Sequence, residues 1–115
     1  MNRPINFWLH PDHEKTISTI SHKFFLKSRS ALIGAFLAQE KYSNFKNLKI
    51  ILEEKDRFNT SPSCLYTSVY LDSDSYLLIK KLSKEQKVSM SFFITSLVNF
   101  YLTNSDMFNP FEIYQ

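Results

Sequence analysis

The chain has 115 residues, of which 43% are hydrophobic and 22% charged, so a wholly disordered chain is excluded and the length suits one compact domain or two very small units. Its single glycine disfavours folds that need glycine-rich phosphate loops or tight β-hairpins, and favours a mostly helical chain. The net charge of +3 permits binding to nucleic acid without requiring it, and the positive excess lies in residues 1–58, which hold ten Lys or Arg and six Asp or Glu.

Residues 1–40 predict a strand followed by two helices. The alternating segment Ile5-Asn6-Phe7-Trp8-Leu9 indicates a strand. His10-Pro11 then begins a helix, because proline suits the first helical position, and this helix places Ile17 and Ile20 on one apolar face. Residues 26–30 break the helix. A second amphipathic helix follows and carries Leu32, Ile33, Phe36 and Leu37.

Residues 41–65 are predicted to link this first unit to a second. The apolar residues from Leu48 to Leu52 can form a short helix, whereas residues 59–63 favour a turn. Cys64 also lies in the linker and, as the single cysteine, has no partner for a disulfide within the chain. A lone thiol is typical of a reducing compartment, so we expect a cytoplasmic protein.

Residues 66–102 predict the same order of elements. Residues 66–71 are aromatic and β-branched, as in a strand, and Asp72 follows where a helix N-cap is needed. The helix after Asp72 ends near Val88, and Ser89 caps a further, strongly apolar helix. We expect the tail, residues 103–115, to pack on the domain or to meet a protein partner, because it contains Met107, Phe108, Phe111, Ile113 and Tyr114.

The two units also match in spacing. Leu9 and Leu71, like Ile17 and Ile79, are separated by 62 residues. From the second helix onward the separation is 61, as between Ser28 and Ser89 or between Ile33 and Ile94. One extra residue in the first turn explains the change. The agreement across one strand and two helices predicts an internal repeat.

The second unit closely resembles the ribbon-helix-helix, or MetJ/Arc-type, DNA-binding family. The resemblance rests on Ser68-Val69-Tyr70-Leu71-Asp72, Ile79-Lys80-Lys81-Leu82, Val88-Ser89-Met90-Ser91 and Ile94, and it extends more loosely to residues 4–40. Two copies in one chain resemble the TraY-type proteins of conjugative plasmids. The resemblance implies a mainly α fold with a short antiparallel β-ribbon, in which the two repeats form an intramolecular pseudo-dimer.

In that family a two-stranded ribbon enters the major groove, where base edges can be distinguished. The outward-facing row of such a ribbon is predicted to contain the base-contacting residues Asn6, Trp8, Ser68 and Tyr70, with no Lys or Arg among them. An alternative is that Trp8 and Tyr70 face a core or a protein partner. The resemblance also implies phosphate or flanking contacts near the ribbon ends and at the starts of the second helices. These residues are Arg3, Lys27, Ser28, Arg29, Ser30, Tyr66, Ser89, Met90 and Ser91.

The sequence predicts no catalysis, metal or cofactor. His10, His13 and His22 lack the Cys or acidic neighbours that complete a metal site, and Cys64 has no evident catalytic base. No nucleophile motif or phosphate loop occurs. No stretch approaches the roughly 18 apolar residues of a membrane-spanning helix, so we also expect no membrane partner.

The sequence therefore favours a bacterial cytoplasmic protein, associated with the nucleoid when bound, that recognises a specific double-stranded DNA sequence and regulates transcription of plasmid or conjugation genes. Pseudo-dimers of this kind can also associate with one another on DNA. One alternative is a relaxosome accessory protein at a transfer origin. Another is a protein-interaction module that uses the aromatic row or the C-terminal tail and binds no DNA.

Overall fold

The computed structural model describes residues 4–9, 13–53 and 65–104, together with Asp106 and Phe108. It is mainly helical with one short two-stranded antiparallel sheet, which confirms the predicted fold class at that level. The elements in chain order are β1 (Pro4–Leu9), α1 (His13–Lys23), α2 (Arg29–Tyr42), α3 (Leu48–Glu53), β2 (Leu65–Tyr70), α4 (Ser73–Glu85) and α5 (Met90–Thr103).

The two strands pair along their whole length, with Pro4 opposite Tyr70 and Leu9 opposite Leu65. Burial alternates along β1, where Ile5, Phe7 and Leu9 are buried and the residues between them are exposed. This alternation follows from the two-residue period of a strand, which sends successive side chains to opposite faces. One face of the sheet therefore belongs to the core, and the other faces solvent.

The helices cover the inner face of the sheet, and each strand contacts a different helix. Helix α5 packs on β1, although the two are far apart in sequence, and α2 packs on β2. Helix α5 is the most deeply buried element, since every residue from Phe93 to Leu102 is buried. A helix with apolar residues around most of its circumference is expected in such a central position. The core therefore forms around α5, between the sheet and the remaining helices.

The linker and the tail both contribute to this core. The predicted short linker helix is present as α3, which packs on α5 and buries Leu48 and Ile51. Phe108 in the tail is buried, and its ring centroid lies 4.9 Å from that of Phe36 and 5.4 Å from that of Phe24. The predicted turn at residues 59–63, Cys64, the helix start at His10-Pro11 and most of the tail lie outside the described residues.

One carboxyl group lies within the core. The side chain of Glu40 on α2 is buried and accepts a hydrogen bond from the hydroxyl of Tyr101 on α5. Burial raises the pKa of Glu40 above its ordinary value of 4.5, and the bond from Tyr101 only partly opposes this effect. Burial and the neighbouring carboxyl also raise the pKa of Tyr101, so its hydroxyl keeps the proton that it donates.

This pair predicts a specific pH dependence of stability. Because the folded chain holds the Glu40 proton more tightly than the unfolded chain, the Glu40 contribution to the free energy of unfolding falls as pH rises from about 4.5 through the raised folded-state pKa. Glu40→Gln removes this titration. We expect the difference in free energy of unfolding between the variant and the wild type to grow in favour of the variant over that pH range.

Urea unfolding of both proteins from pH 4 to pH 8 measures this difference. Glu85→Gln, which makes the same chemical change at an exposed position at the end of α4, is the matched control. A Glu40→Gln difference that does not change with pH would contradict the prediction.

Candidate nucleic-acid interface

The outer face of the ribbon holds all four residues that the sequence predicts as base contacts. Asn6 and Ser68 are exposed and lie directly opposite each other at the middle of the ladder. Trp8 is 41% exposed and Tyr70 is 61% exposed, on either side of that central pair. Trp8 and Tyr70 therefore do not lie in the core, whereas the alternative of a protein partner stays open.

The size of this face suits the major groove of DNA. Each strand has six residues and is about 20 Å long, and a two-stranded ribbon is narrow enough for a groove about 12 Å wide. The amide of Asn6 can donate to and accept from adenine, and the hydroxyl of Ser68 can do either. The rings of Trp8 and Tyr70 can contact thymine methyl groups. Hydrogen bonding and apolar contact are thus both available on one exposed face.

Two capped helix starts lie in the chain where phosphate contacts were predicted. The hydroxyl of Ser28 accepts a hydrogen bond from the amide of Ala31 at 3.1 Å, and that of Ser89 accepts one from the amide of Phe92 at 3.0 Å. These bonds confirm both serines as N-caps, as the bond from Ser75 at 2.7 Å confirms Asp72. A helix N-terminus favours a bound anion through its amides and its dipole.

The other predicted flanking residues differ in their placement. Lys27 is exposed beside the Ser28 cap, and Ser30, Met90 and Ser91 are half-buried in the first turns of α2 and α5. Only the main chain of Tyr66 is described, opposite Trp8, and Arg3 lies outside the described residues. Phosphate contact by any of these residues stays a prediction.

Arg29 has a structural contact that the sequence did not suggest. Its guanidinium donates to the hydroxyl of Thr67, which belongs to the inner row of β2. This bond joins the start of α2 to the ribbon. A guanidinium has five N–H donors, so one bond to Thr67 is compatible with the predicted phosphate contact but restricts where the group can lie.

The turns that lead into the two caps share an unusual backbone conformation. Phe25 has φ of 59° and Lys87 has φ of 58°, in the left-handed region where glycine is usual. In each turn the next amide bonds back to a helix carbonyl, from Leu26 to Ser21 at 2.8 Å and from Val88 to Ser83 at 3.0 Å. This is the Schellman pattern of a helix C-terminus. The sequence located both breaks but lacked the glycines that indicate this geometry.

Sequence reasoning also missed a polar cluster behind Trp8. The amide of Trp8 donates to the hydroxyl of Thr95 at 3.0 Å, and the amide group of Asn99 donates to the carbonyl of Trp8 at 2.9 Å. His13 Nδ1 lies 2.8 Å from Asn99 Oδ1. The signal for this cluster is the pair Thr95 and Asn99, two polar residues four apart on a mostly apolar helix.

Comparisons of the chain with protein-family models, with curated proteins and with solved structures find no match. In the part of the chain that the structure describes, no helix is long and apolar enough to cross a membrane. Within the same residues, no three His, Cys, Asp or Glu side chains are grouped as metal ligands. The candidate interface is therefore characterised by its own geometry.

The left-handed turns predict that glycine stabilises this fold at Lys87. A non-glycine residue in this conformation costs about 1 kcal/mol, and Lys87 is exposed, so Lys87→Gly is expected to raise the free energy of unfolding by about 0.5–1 kcal/mol. Lys81→Gly is the matched control, because it removes the same exposed side chain from the middle of α4 and is expected to lower stability by about 1 kcal/mol. Equal destabilisation by both substitutions, measured by urea unfolding, would show that the turn at Lys87 is not left-handed.

Proposed function

We propose that this protein binds a specific double-stranded DNA sequence by inserting the β1-β2 ribbon into the major groove, and that it regulates transcription of plasmid or conjugation genes. One observation carries the proposal. The residues Asn6, Trp8, Ser68 and Tyr70 form one exposed row on a two-stranded ribbon whose other face is covered by helices. The exposed capped starts of α2 and α5 supply anion-binding groups for the phosphate backbone.

The proposal includes a fold made of two ribbon-helix-helix repeats in one chain. Its support is the recurrence of local geometry at the spacing of the sequence repeat. The left-handed residues Phe25 and Lys87 are 62 residues apart, and the capping serines Ser28 and Ser89 are 61 apart. The extra residue of the first turn is therefore Lys27, which has no counterpart between Val88 and Ser89.

Long-range contacts also support an intramolecular pseudo-dimer. In an object with approximate two-fold symmetry, equivalent residues can meet only at the axis. Asn6 and Ser68 are 62 residues apart and lie opposite each other in the ladder. Glu40 and Tyr101 are 61 residues apart and share a hydrogen bond. Under the proposal, a two-fold axis runs through the middle of the ribbon and between α2 and α5, where these two pairs lie.

The proposed pseudo-dimer differs from a homodimer in what it recognises. Asn6 occupies the centre of one strand and Ser68 that of the other, and the repeat-equivalent residues Trp8 and Tyr70, 62 apart, carry an indole in one strand and a phenol in the other. The two halves of the ribbon therefore present different chemistry to DNA. We infer that the bound sequence is not palindromic.

A second candidate function is supported by the chemistry of the same face. The exposed row carries two large aromatic side chains and no Lys or Arg, and aromatic residues are enriched in protein interfaces. A protein-interaction module would use this row without binding DNA. Binding that weakens steeply with salt is the property of a DNA-binding protein that this second function lacks.

Selection of bound duplexes from a random and a genomic pool tests the proposed function. We expect enrichment of one non-palindromic sequence, with affinity that falls as salt concentration rises. The genomic position of the enriched sites distinguishes a promoter from a transfer origin, which is where a relaxosome accessory protein binds. Absence of any enriched sequence would overturn DNA recognition and favour the interaction module.

Substitutions on the ribbon test the contact itself. Tyr70→Ala and Asn6→Ala are each expected to weaken binding to the selected duplex by about tenfold, because one base contact contributes about 1–3 kcal/mol of discrimination. Tyr42→Ala is the matched control, since Tyr42 is 59% exposed and lies at the far end of α2, about 20 Å along the helix from Arg29. Retained folding with wild-type affinity in both ribbon variants would contradict insertion of the ribbon into the major groove.

A further inference from the structure

We propose that Thr95 and Asn99 of α5 are positioning residues, which hold Trp8 in place and thereby set sequence preference on one half of the DNA site. The inference rests on the proposed function, because it assumes that Trp8 contacts DNA. It adds a role for two buried residues that do not themselves reach the exposed face.

The cluster occupies the outer edge of β1. A two-stranded sheet has two outer edges, and main-chain groups on such an edge need partners other than a third strand. At Trp8 both groups are satisfied by α5, since the amide donates to Thr95 Oγ1 at 3.0 Å and the carbonyl accepts from Asn99 Nδ2 at 2.9 Å. The main chain of Trp8 is thus attached at two points to the most deeply buried helix.

The hydrogen bonds of Asn99 leave it one orientation. Its amide nitrogen donates to two carbonyls, those of Trp8 at 2.9 Å and of Thr95 at 2.7 Å, which uses both of its hydrogens. Reversing the amide would set its oxygen against both carbonyl oxygens. Asn99 Oδ1 can only accept, so His13 Nδ1, at 2.8 Å, carries the proton in this bond. His13 therefore holds Asn99 from α1 while Asn99 holds Trp8.

This attachment sets the direction of the Trp8 side chain. Residues 7 and 9 on either side are buried in the core, and the Trp8 main chain is bonded to α5, so the Cα–Cβ bond points out of the sheet in a defined direction. Base discrimination depends on placement within about 0.5 Å, and such accuracy requires support from surrounding residues. Loss of either bond loosens Trp8 without removing it.

The other half of the ribbon is held differently. Under the proposed repeat, the residues equivalent to Thr95 and Asn99 are Gly34 and Ala38, whose side chains cannot form hydrogen bonds. Strand β2 is instead joined to α2 through the side chains of Arg29 and Thr67. The two halves can therefore be perturbed one at a time, and a change at Asn99 is expected to act on the Trp8 half alone.

Tryptophan fluorescence tests the positioning without DNA, because Trp8 is the only tryptophan of the chain. Asn99→Leu keeps the approximate volume and removes every hydrogen bond, and Thr95→Val removes only the bond to the Trp8 amide. We expect faster local motion of Trp8 in time-resolved anisotropy for both variants. Ser83→Ala, which removes a buried hydroxyl from α4, is the control and is expected to leave the decay unchanged.

Duplex selection with the same variants tests the effect on recognition. Positions whose preference disappears in Trp8→Ala define the Trp8 half of the site, and those lost in Tyr70→Ala define the other half. Asn99→Leu and Thr95→Val are expected to reduce discrimination roughly fivefold or more in the Trp8 half only. Thr67→Val, which breaks the Arg29 contact, is expected to leave the Trp8 half intact.

The outcomes separate this inference from the proposed function. If the wild type enriches no duplex, both the proposed function and the recognition role fail. If the wild type enriches a duplex but the folded variants keep its full preference, or lose preference equally in both halves, positioning alone is overturned. Should Asn99→Leu fail to fold, the milder Thr95→Val variant decides between these results.

Discussion

The pairing of β1 with β2 is the constraint on which the rest of the fold depends. Two strands with no third neighbour are marginally stable in water, so one face of the ribbon must be covered. Helices α2 and α5 cover it by packing on the inner row, which includes Ile5, Phe7 and Val69. The alternation that buries this row exposes the opposite one. The candidate interface is therefore a direct consequence of how the core is closed.

The ribbon also explains why polar groups lie inside an apolar core. Its outer edge at Trp8 needs hydrogen-bond partners, and Thr95 and Asn99 supply them from a helix that is mostly apolar. Buried polar side chains are tolerated where their bonds are satisfied, and Asn99 uses both its donors and its acceptor. Glu40 differs, because burial opposes its ionised form even though Tyr101 donates to it. One polar cluster bonds to the main chain of the ribbon, and the other is expected to make stability depend on pH.

The two strands of the ribbon differ in sequence, and this difference distinguishes the proposed function from that of a homodimer. A homodimer makes the same DNA contacts twice and favours a palindromic site. Two linked units with different sequences can each contact different bases. Here Trp8 is attached to α5 through its main chain, and β2 is attached to α2 through Arg29 and Thr67. Under the proposed function, these different attachments give each half of the ribbon its own accuracy and its own chemistry.

Local features were predictable from the sequence alone. The alternation in Ile5-Asn6-Phe7-Trp8-Leu9 determined which face of β1 is buried, and the N-caps Ser28, Asp72 and Ser89 followed from residue type and position. These features depend on the backbone preferences of a few neighbouring residues. The left-handed turns at Phe25 and Lys87 were not predictable in that way, because packing of the flanking helices imposes a conformation that neither side chain favours.

Only the tertiary structure decided which distant residues meet. The bond from Asn99 to Trp8 joins residues 91 apart, and that from Tyr101 to Glu40 joins residues 61 apart. Nothing in the local sequence around Asn99 specifies a strand carbonyl as its partner, since that contact exists only once α5 has packed on β1. The sequence by itself determined the exposed row of the ribbon. The fold determined that the main chain of Trp8 in that row is bonded to α5, because those bonds depend on contacts across the core.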